Sequence, residues 1–287
     1  MRIIHDLDEM METARGWLSR GTVGFVPTMG HLHAGHLSLI QAARRECEIS
    51  VVGIFVSPSR FKPGKGRARF PRDLARDLFL LDSAGVDVVF IPRSHDLYPA
   101  NLSTYVTPTG PLAERLEGTL NPGYFRRMAT TVTRLFQVVR PDIAYFSQKD
   151  AQTVAVLRKM VRDLNIDITL GILPTVREQD GLAISTRNAS LSRPERQAAT
   201  VLYRALLAGK ALIQGGELRP PVIEKAMGDM VLAEPGVGLN YAAVCDPETF
   251  QELTVITSRT LLIVSATIGS IRLTDNILWL GDGTWLI

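Results

Sequence analysis

The feature that most restricts this chain is a repeated exchange of short apolar runs with helical ones. "TVGFVPT" (22–28) is β-branched and aromatic and stops at a Gly/His turn. "HLSLIQAARREC" follows with Leu37, Ile40 and Ala43/Arg44 at helical spacing. "ISVVGIFV" (49–56) is nearly continuous in apolar residues, as a strand is when both faces of a parallel sheet are covered. A Gly/Lys/Arg loop comes next, then a helical stripe from about Pro71 to Ala84 through Leu74, Leu78 and Leu81, then "VDVVFIP" (86–92). "MATTVTRLFQVV", "IAYFS", "DAQTVAVLRKMVRDL" and "DITLGILPTV" repeat the order. Alternation of this kind implies βαβ units with right-handed crossovers and a ligand at the carboxyl ends of the strands.

After Val176 the pattern changes. "REQDGLAISTRNASLSRPERQ" is polar, and "LSRPERQAATVLYRALLAGKALIQ" reads as a capped helix with Pro194 in its first turn. "NYAAVCDPETF", "TLLIVSATI" and "SIRLTDNILW" then suggest strands. The expected fold is α/β: a Rossmann-like doubly wound parallel sheet over residues 1–175, with a second, smaller α+β domain over 176–287. A chain of 287 residues is long enough for two such cores.

Composition narrows the function. Apolar residues at 46% and charged residues at 21% are those of an ordinary globular protein. A net charge of +3 lacks the concentrated basic face that nucleic-acid binding requires. Cys47 and Cys245 are the only cysteines, so neither a disulfide framework nor a structural zinc set is expected, and a reducing cytoplasm fits. The N-terminal stretch carries early acids and reads as neither signal peptide nor anchor, and no run reaches the ~18 apolar residues of a spanning helix.

"PTMGHLHAGHLSL" holds three of the five histidines. His33 and His36 are three apart, so both project over the first turn of the helix that Gly35-His36 opens, beside its unpaired N–H groups and positive dipole end. Such a helix start favours anions, and imidazole donors can follow charge building on a phosphoryl group. The plainer reading makes one histidine a cap and leaves the other solvated.

"PTMGHLHAGHLSL" resembles the His-x-Gly-His signature of the nucleotidylyl-transferase superfamily and, in its longer form, the opening motif of the pantothenate synthetase family. "RFPRDLARDLFLLDSAGVDVVFIP", "FSQKDAQ", "VRDLNIDI", "PTVREQDGLAISTRN" and "IRLTDN" follow in that family's order. The resemblance implies an ATP-dependent ligase that makes an acyl-adenylate and pyrophosphate, then an amide and AMP. It implies ATP contacts from Pro27, Thr28, Met29, Gly30, His33, Gly35 and His36. Lys149 would stabilise charge on the α-phosphate, with Asp150 beside it, and Ser185, Thr186 and Arg187 would grip phosphates from a smaller domain closing on the nucleotide. Catalysis would rest on His33, His36 and Lys149. Magnesium is implied by the nucleotide, since it keeps most of its waters and binds through phosphates. The partners implied are a small carboxylic acid and an amine, and the family is homodimeric.

The chain departs from the family where the acid and amine bind. Ser57 stands for its Asn, Arg60 and Thr153 for two Gln that hold pantoate, and Tyr124 for a His near the amine entry. Residues 60–72 carry six basic side chains and no acid. The family's paired acids become Arg76-Asp77, leaving Asp77 as the protein candidate for a magnesium ligand. A pocket stripped of two amides discriminates against pantoate by up to about 10⁴. The expected function is therefore an adenylate-forming ligase with changed substrates, a paralog. A genuine pantothenate synthetase and a nucleotidylyltransferase acting on a phosphorylated acceptor are the alternatives.

Overall fold

In the computed structural model the residues described are 1–17, 21–57 and 73–287. The chain divides into two compact units, Met1–Ala113 with Glu117–Phe146 and Val156–Leu173, and Glu114–Leu116 with Ser147–Ala155 and Pro174–Ile287.

The first unit is built on β1 (Arg2–Ile4), β2 (Val23–Thr28), β3 (Ile49–Ile54), β4 (Val88–Phe90), β5 (Ile143–Ser147) and β6 (Thr169–Leu173), in the sheet order β1-β4-β3-β2-β5-β6. Strand β2 pairs parallel with β3 and β5, β3 with β4, and β4 with β1. The intervening helices are α1 (Leu7–Arg15), α2 (Ala34–Glu46), α3 (Leu74–Ser83), the one-turn α4 (Ser94–Leu97), α5 (Pro111–Glu114) and α6 (Glu117–Leu120), then α7 (Tyr124–Val139) and α8 (Ala151–Asp163), whose first five residues, like Ser147 of β5 and Glu114 of α5, belong to the second unit. The α/β parallel sheet expected from the alternation is present. Edge strand β1 lies outside that expectation: three residues of "RII" carry too little pattern, and pairing with β4 makes the strand.

Because strand side chains alternate, each continuous apolar run feeds two cores. Phe25, Val51 and Val88 pack with Met10 and Ala14 of α1 and Val132, Leu135 and Phe136 of α7. Val26, Val52 and Val89 pack on the other face with Leu39, Ile40 and Ala43 of α2 and Leu81 of α3. Helices thus cover both faces of the strands. Strand β2 lies where the order reverses, with β3 and β4 to one side and β5 and β6 to the other. Its carboxyl end is the crevice where such sheets bind ligands.

In the second unit the stretch expected as one capped helix is two: α9 (Arg193–Ala198) carries the cap, reciprocal between Ser192 and Glu195, with Pro194 in its first turn, and ends before a second helix begins at Val201. Helices α10 (Val201–Gln214) and α11 (Pro220–Leu232) pack on an antiparallel sheet of β7 (Val237–Cys245), β8 (Thr260–Ile268), β9 (Ile271–Trp279) and β10 (Trp285–Leu286), ordered β10-β9-β8-β7. Val201, Leu202, Leu206, Ile223 and Met227 bury against Val244, Leu262, Val264 and Ile277. Cys47 and Cys245 are buried free thiols, and burial pushes that of Cys245 up to about 12. No helix among the described residues is long and apolar enough to cross a membrane.

Phe136 meets Phe25 edge to face at 6.5 Å and is 1% exposed. Phe136→Ala is expected to cost about 3–5 kcal/mol, the usual loss for a fully buried aromatic. Denaturant unfolding followed by Trp17, which lies in the same core, reads this unit once Trp279 and Trp285 of the second unit are replaced by Phe. A loss below ~1 kcal/mol would contradict the packing.

Candidate active site

Strand β2 ends at Thr28, whose hydroxyl donates to the Gly53 carbonyl at 2.9 Å and accepts the Gly30 N–H at 3.2 Å. The Phe55 N–H donates to the Thr28 carbonyl at 2.9 Å, so the ends of β2 and β3 are tied, with Ser57 buried just beyond β3. The chain then turns through Gly30 at φ 81° and His31 at φ 55°, both left-handed. A side chain at Gly30 would place its Cβ 2.9 Å from Asp77 Oδ2, so both conformation and space require glycine.

Asp77 explains the turn. It lies in the first turn of α3, is 2% exposed, and its carboxylate accepts the N–H of His31 at 2.7 Å (Oδ2) and of Leu32 at 2.7 Å (Oδ1). Arg76 Nη1 donates to the Leu32 carbonyl at 2.9 Å. Asp73 caps the same helix by accepting the Arg76 N–H at 3.0 Å. A buried carboxylate persists when backbone donors satisfy it. The resemblance makes Asp77 the candidate protein ligand for magnesium; here each of its oxygens accepts one backbone N–H of the histidine turn.

His33 is the N-cap of α2 and its carbonyl accepts the N–H of His36 at 2.9 Å and of Leu37 at 3.0 Å. The rings of His33 and His36 lie with centroids 4.0 Å apart at 30°. The His33 ring covers Gly35, where an added Cβ would sit 3.1 Å from its Cε1 and Nδ1. His36 Nδ1 faces the His33 N–H at 3.4 Å. An Nδ1 in the accepting role places the proton of a neutral ring on Nε2, a donor at the helix start. Pro27 and Met29 are half-buried around this turn.

The second unit holds the other set. Lys149 lies in a 3-10 turn, Gln148–Asp150, capped by Ser147, with Nζ 3.5 Å from Asp150 Oδ1. Thr153 follows in the first turn of α8, half-buried, and its neighbour Gln152 donates to the Arg115 carbonyl at 2.9 Å. Ser185 caps the 3-10 turn Thr186–Ser190, accepting the Arg187 N–H at 3.3 Å, and Arg187 Nη1 donates to the Arg272 carbonyl at 2.7 Å. Ahead of it, Arg196 donates to both oxygens of Asp180, which holds that carboxyl below its usual range.

Tyr124 opens α7 and meets Phe125 edge to face at 5.0 Å. Arg60 and the basic loop fall outside the described residues. Sequence reasoning gives no task to Gln148 or Asn276, although "FSQKDAQ" and "IRLTDN" contain them. Their mutual hydrogen bond at 3.0 Å joins residues 128 positions apart.

A parallel sheet with a histidine-bearing helix start at its switch point defines an anion-handling α/β enzyme class. The family model for pantoate-beta-alanine ligase matches residues 2–278, and the chain belongs to that family. It is 44% identical to the pantothenate synthetase of Herpetosiphon aurantiacus over 278 residues, covering 96% of this chain and 99% of that one. The crystal structure of pantothenate synthetase from Thermus thermophilus superposes with a TM-score of 0.90 at 43% identity, covering 96% and 98% of the two chains. That of pantoate-beta-alanine ligase from Francisella tularensis, complexed with beta-gamma ATP and beta-alanine, gives 0.79 at 31% identity, covering 98% of each. The expected resemblance and fold are thereby established. The reading as a redirected paralog gains no support from these relatives; the genuine-enzyme alternative does.

Asp77→Ala is expected to leave the buried Leu32 amide without its acceptor, at about 1–3 kcal/mol, and the half-buried His31 amide without its own at a smaller cost. Amide hydrogen exchange at His31 and Leu32 checks it: exchange should accelerate there far more than at the centre of β2 or β3. Unchanged protection at His31 and Leu32 would contradict the clamp.

Proposed function

We propose that the chain is a pantothenate synthetase, joining pantoate to β-alanine with cleavage of ATP. Full-length kinship with enzymes so named, at 44% identity, is the observation that carries this reading. In the first step a pantoate carboxylate oxygen bonds to the α-phosphorus of ATP, the α–β phosphoanhydride breaks, and pyrophosphate leaves. In the second the β-alanine nitrogen bonds to the acyl carbon, the acyl–phosphate C–O bond breaks, AMP leaves, and the nitrogen loses its protons to solvent.

The residues supply what this chemistry needs. Nucleotidyl transfer asks for fixed donors around charge rather than covalent help. We assign the His33/His36 pair and the first-turn amides of α2 to the polyphosphate, with Thr28 and Gly30 shaping the approach. Lys149 is assigned to the α-phosphate, and Ser185, Thr186 and Arg187 to the phosphates leaving as pyrophosphate. Mg²⁺ supplies neutralisation of the polyphosphate. With Asp77 committed to backbone amides, the residues suit an ion carried by the nucleotide and its waters. We assign Ser57 and Thr153 to pantoate through hydroxyls where the family uses amides, and Tyr124 to the amine side. The family resemblance also supports a homodimer acting in the cytoplasm, and sedimentation at twice the chain mass would bear out the dimer.

Acid-dependent exchange of labelled pyrophosphate into ATP tests the proposal. Pantoate should outperform a panel of hydroxy, dicarboxylic, amino and phosphorylated acids, and Lys149→Ala should reduce exchange by about 10²–10³ while the fold is kept. Thr153→Gln should lower the KM for pantoate. Silence with pantoate beside a strong signal from another acid would overturn the substrate assignment. A stable adenylylated product released without an amine requirement would overturn the ligase assignment.

A further inference from the structure

Strand β9 makes three attachments that the reaction above leaves without a task. Arg272 lends its carbonyl to Arg187 at 2.7 Å. Asp275, 2% exposed, takes the Arg177 guanidinium in two bonds of 2.6 and 3.0 Å, and the same Arg177 reaches the Gly181 carbonyl at 3.1 Å and the Asn276 carbonyl at 3.3 Å. Asn276, fully buried, grips the lysine turn: Nδ2 donates to the carbonyls of Gln148 at 3.0 Å and Lys149 at 2.9 Å, while Oδ1 accepts Gln148 Nε2 at 3.0 Å.

The pattern fixes the amide. Rotating it by half a turn would set an oxygen against two carbonyls and an NH₂ against another NH₂, losing all three bonds. No other side chain of similar size offers two donors and an acceptor in one plane. Buried polar groups are held by such bonds, so the Asn276 amide and the two carbonyls of the 3-10 turn fix one another in place. Asp275 anchors Arg177, the residue that opens the turn leading to Ser185. One strand therefore holds both phosphate-facing segments of this unit.

We propose that Asn276 is a positioning residue for Lys149, and that β9 fixes the Lys149 turn and the Ser185–Arg187 turn in one register through Asn276, Asp275 and the Arg272 carbonyl. The role rests on the reading of Lys149 as the α-phosphate donor. A lysine ends a flexible four-carbon stem, so the backbone from which it starts decides where its charge falls. A displacement of about 1 Å in such a group costs up to about 10² in rate.

The experiment compares wild type, Asn276→Ala, Lys149→Ala and the double variant in pantoate-dependent pyrophosphate exchange, with amide hydrogen exchange on each. Asn276→Ala should lower kcat by about 10–10² with little change in the KM for pantoate. In the double variant it should add nothing to Lys149→Ala, because both act through one ammonium. Amide exchange should rise at Gln148–Asp150 while β7 and β8 stay protected. Gln148→Ala, which leaves both carbonyl bonds in place, is the milder variant should Asn276→Ala fail to fold, and it should show a smaller effect of the same kind. Equal losses from Asn276→Ala in the presence and absence of Lys149, or loss of protection throughout the unit, would overturn the proposal and make Asn276 a general support. Unchanged exchange at Gln148–Asp150 would also overturn it. Wild-type silence in pyrophosphate exchange would instead count against the functional reading, and the amide-exchange arm would still decide whether Asn276 holds the turn.

Discussion

The Asp77 carboxylate, closed onto the amides of His31 and Leu32, is the interaction on which the histidine turn depends. Two consecutive left-handed residues cost conformational energy, and a non-glycine at φ 55° persists only when its surroundings over-determine it. The buried charge supplies that determination: it faces two N–H groups at 2.7 Å, and Arg76 of the same helix takes the Leu32 carbonyl. The turn then delivers His33 to the cap of α2 and lays its ring on Gly35. Replacing Gly30 or Gly35 with a bulkier residue would push a Cβ into Asp77 or into His33. Spacing of the two histidines suits this geometry, since residues three apart at a helix start are neighbours on one face, and here their rings meet at 4.0 Å.

Much of the architecture is legible in the sequence because burial on both faces writes itself into continuous runs such as "ISVVGIFV". Strand β1 is not legible, since three residues of weak pattern become a strand only when β4 offers its edge. At the site, the histidine motif identifies itself by residue type and spacing. The work of Asp77 does not, because its partners lie 45 and 46 positions earlier and a lone acid in a helix looks the same whether it faces metal, water or amides. Asn276 is hidden for the same reason: its hydrogen bonds reach 127 and 128 residues back along the chain.

The departures at Ser57, Arg60 and Thr153 point from sequence toward changed substrates, and the kinship of the whole chain points the other way. A hydroxyl can replace one hydrogen bond of an amide but not both, which weakens a pocket without redirecting it. The residues assigned to phosphate, by contrast, sit in rigid local frames: a clamp from α3 in the first unit, a bracket from β9 in the second. Preorganised donors of this kind are what nucleotidyl transfer rewards, since their orientation is set before charge develops.

The most direct test of the clamp is nucleotide affinity as a function of Mg²⁺ for wild type and Asp77→Asn. If Asp77 builds the turn, the substitution weakens ATP binding by a similar factor at every Mg²⁺ concentration and leaves the half-saturating Mg²⁺ unchanged. If Asp77 instead ligates the ion, binding without Mg²⁺ is unaffected and the Mg²⁺ requirement rises, which would contradict the account.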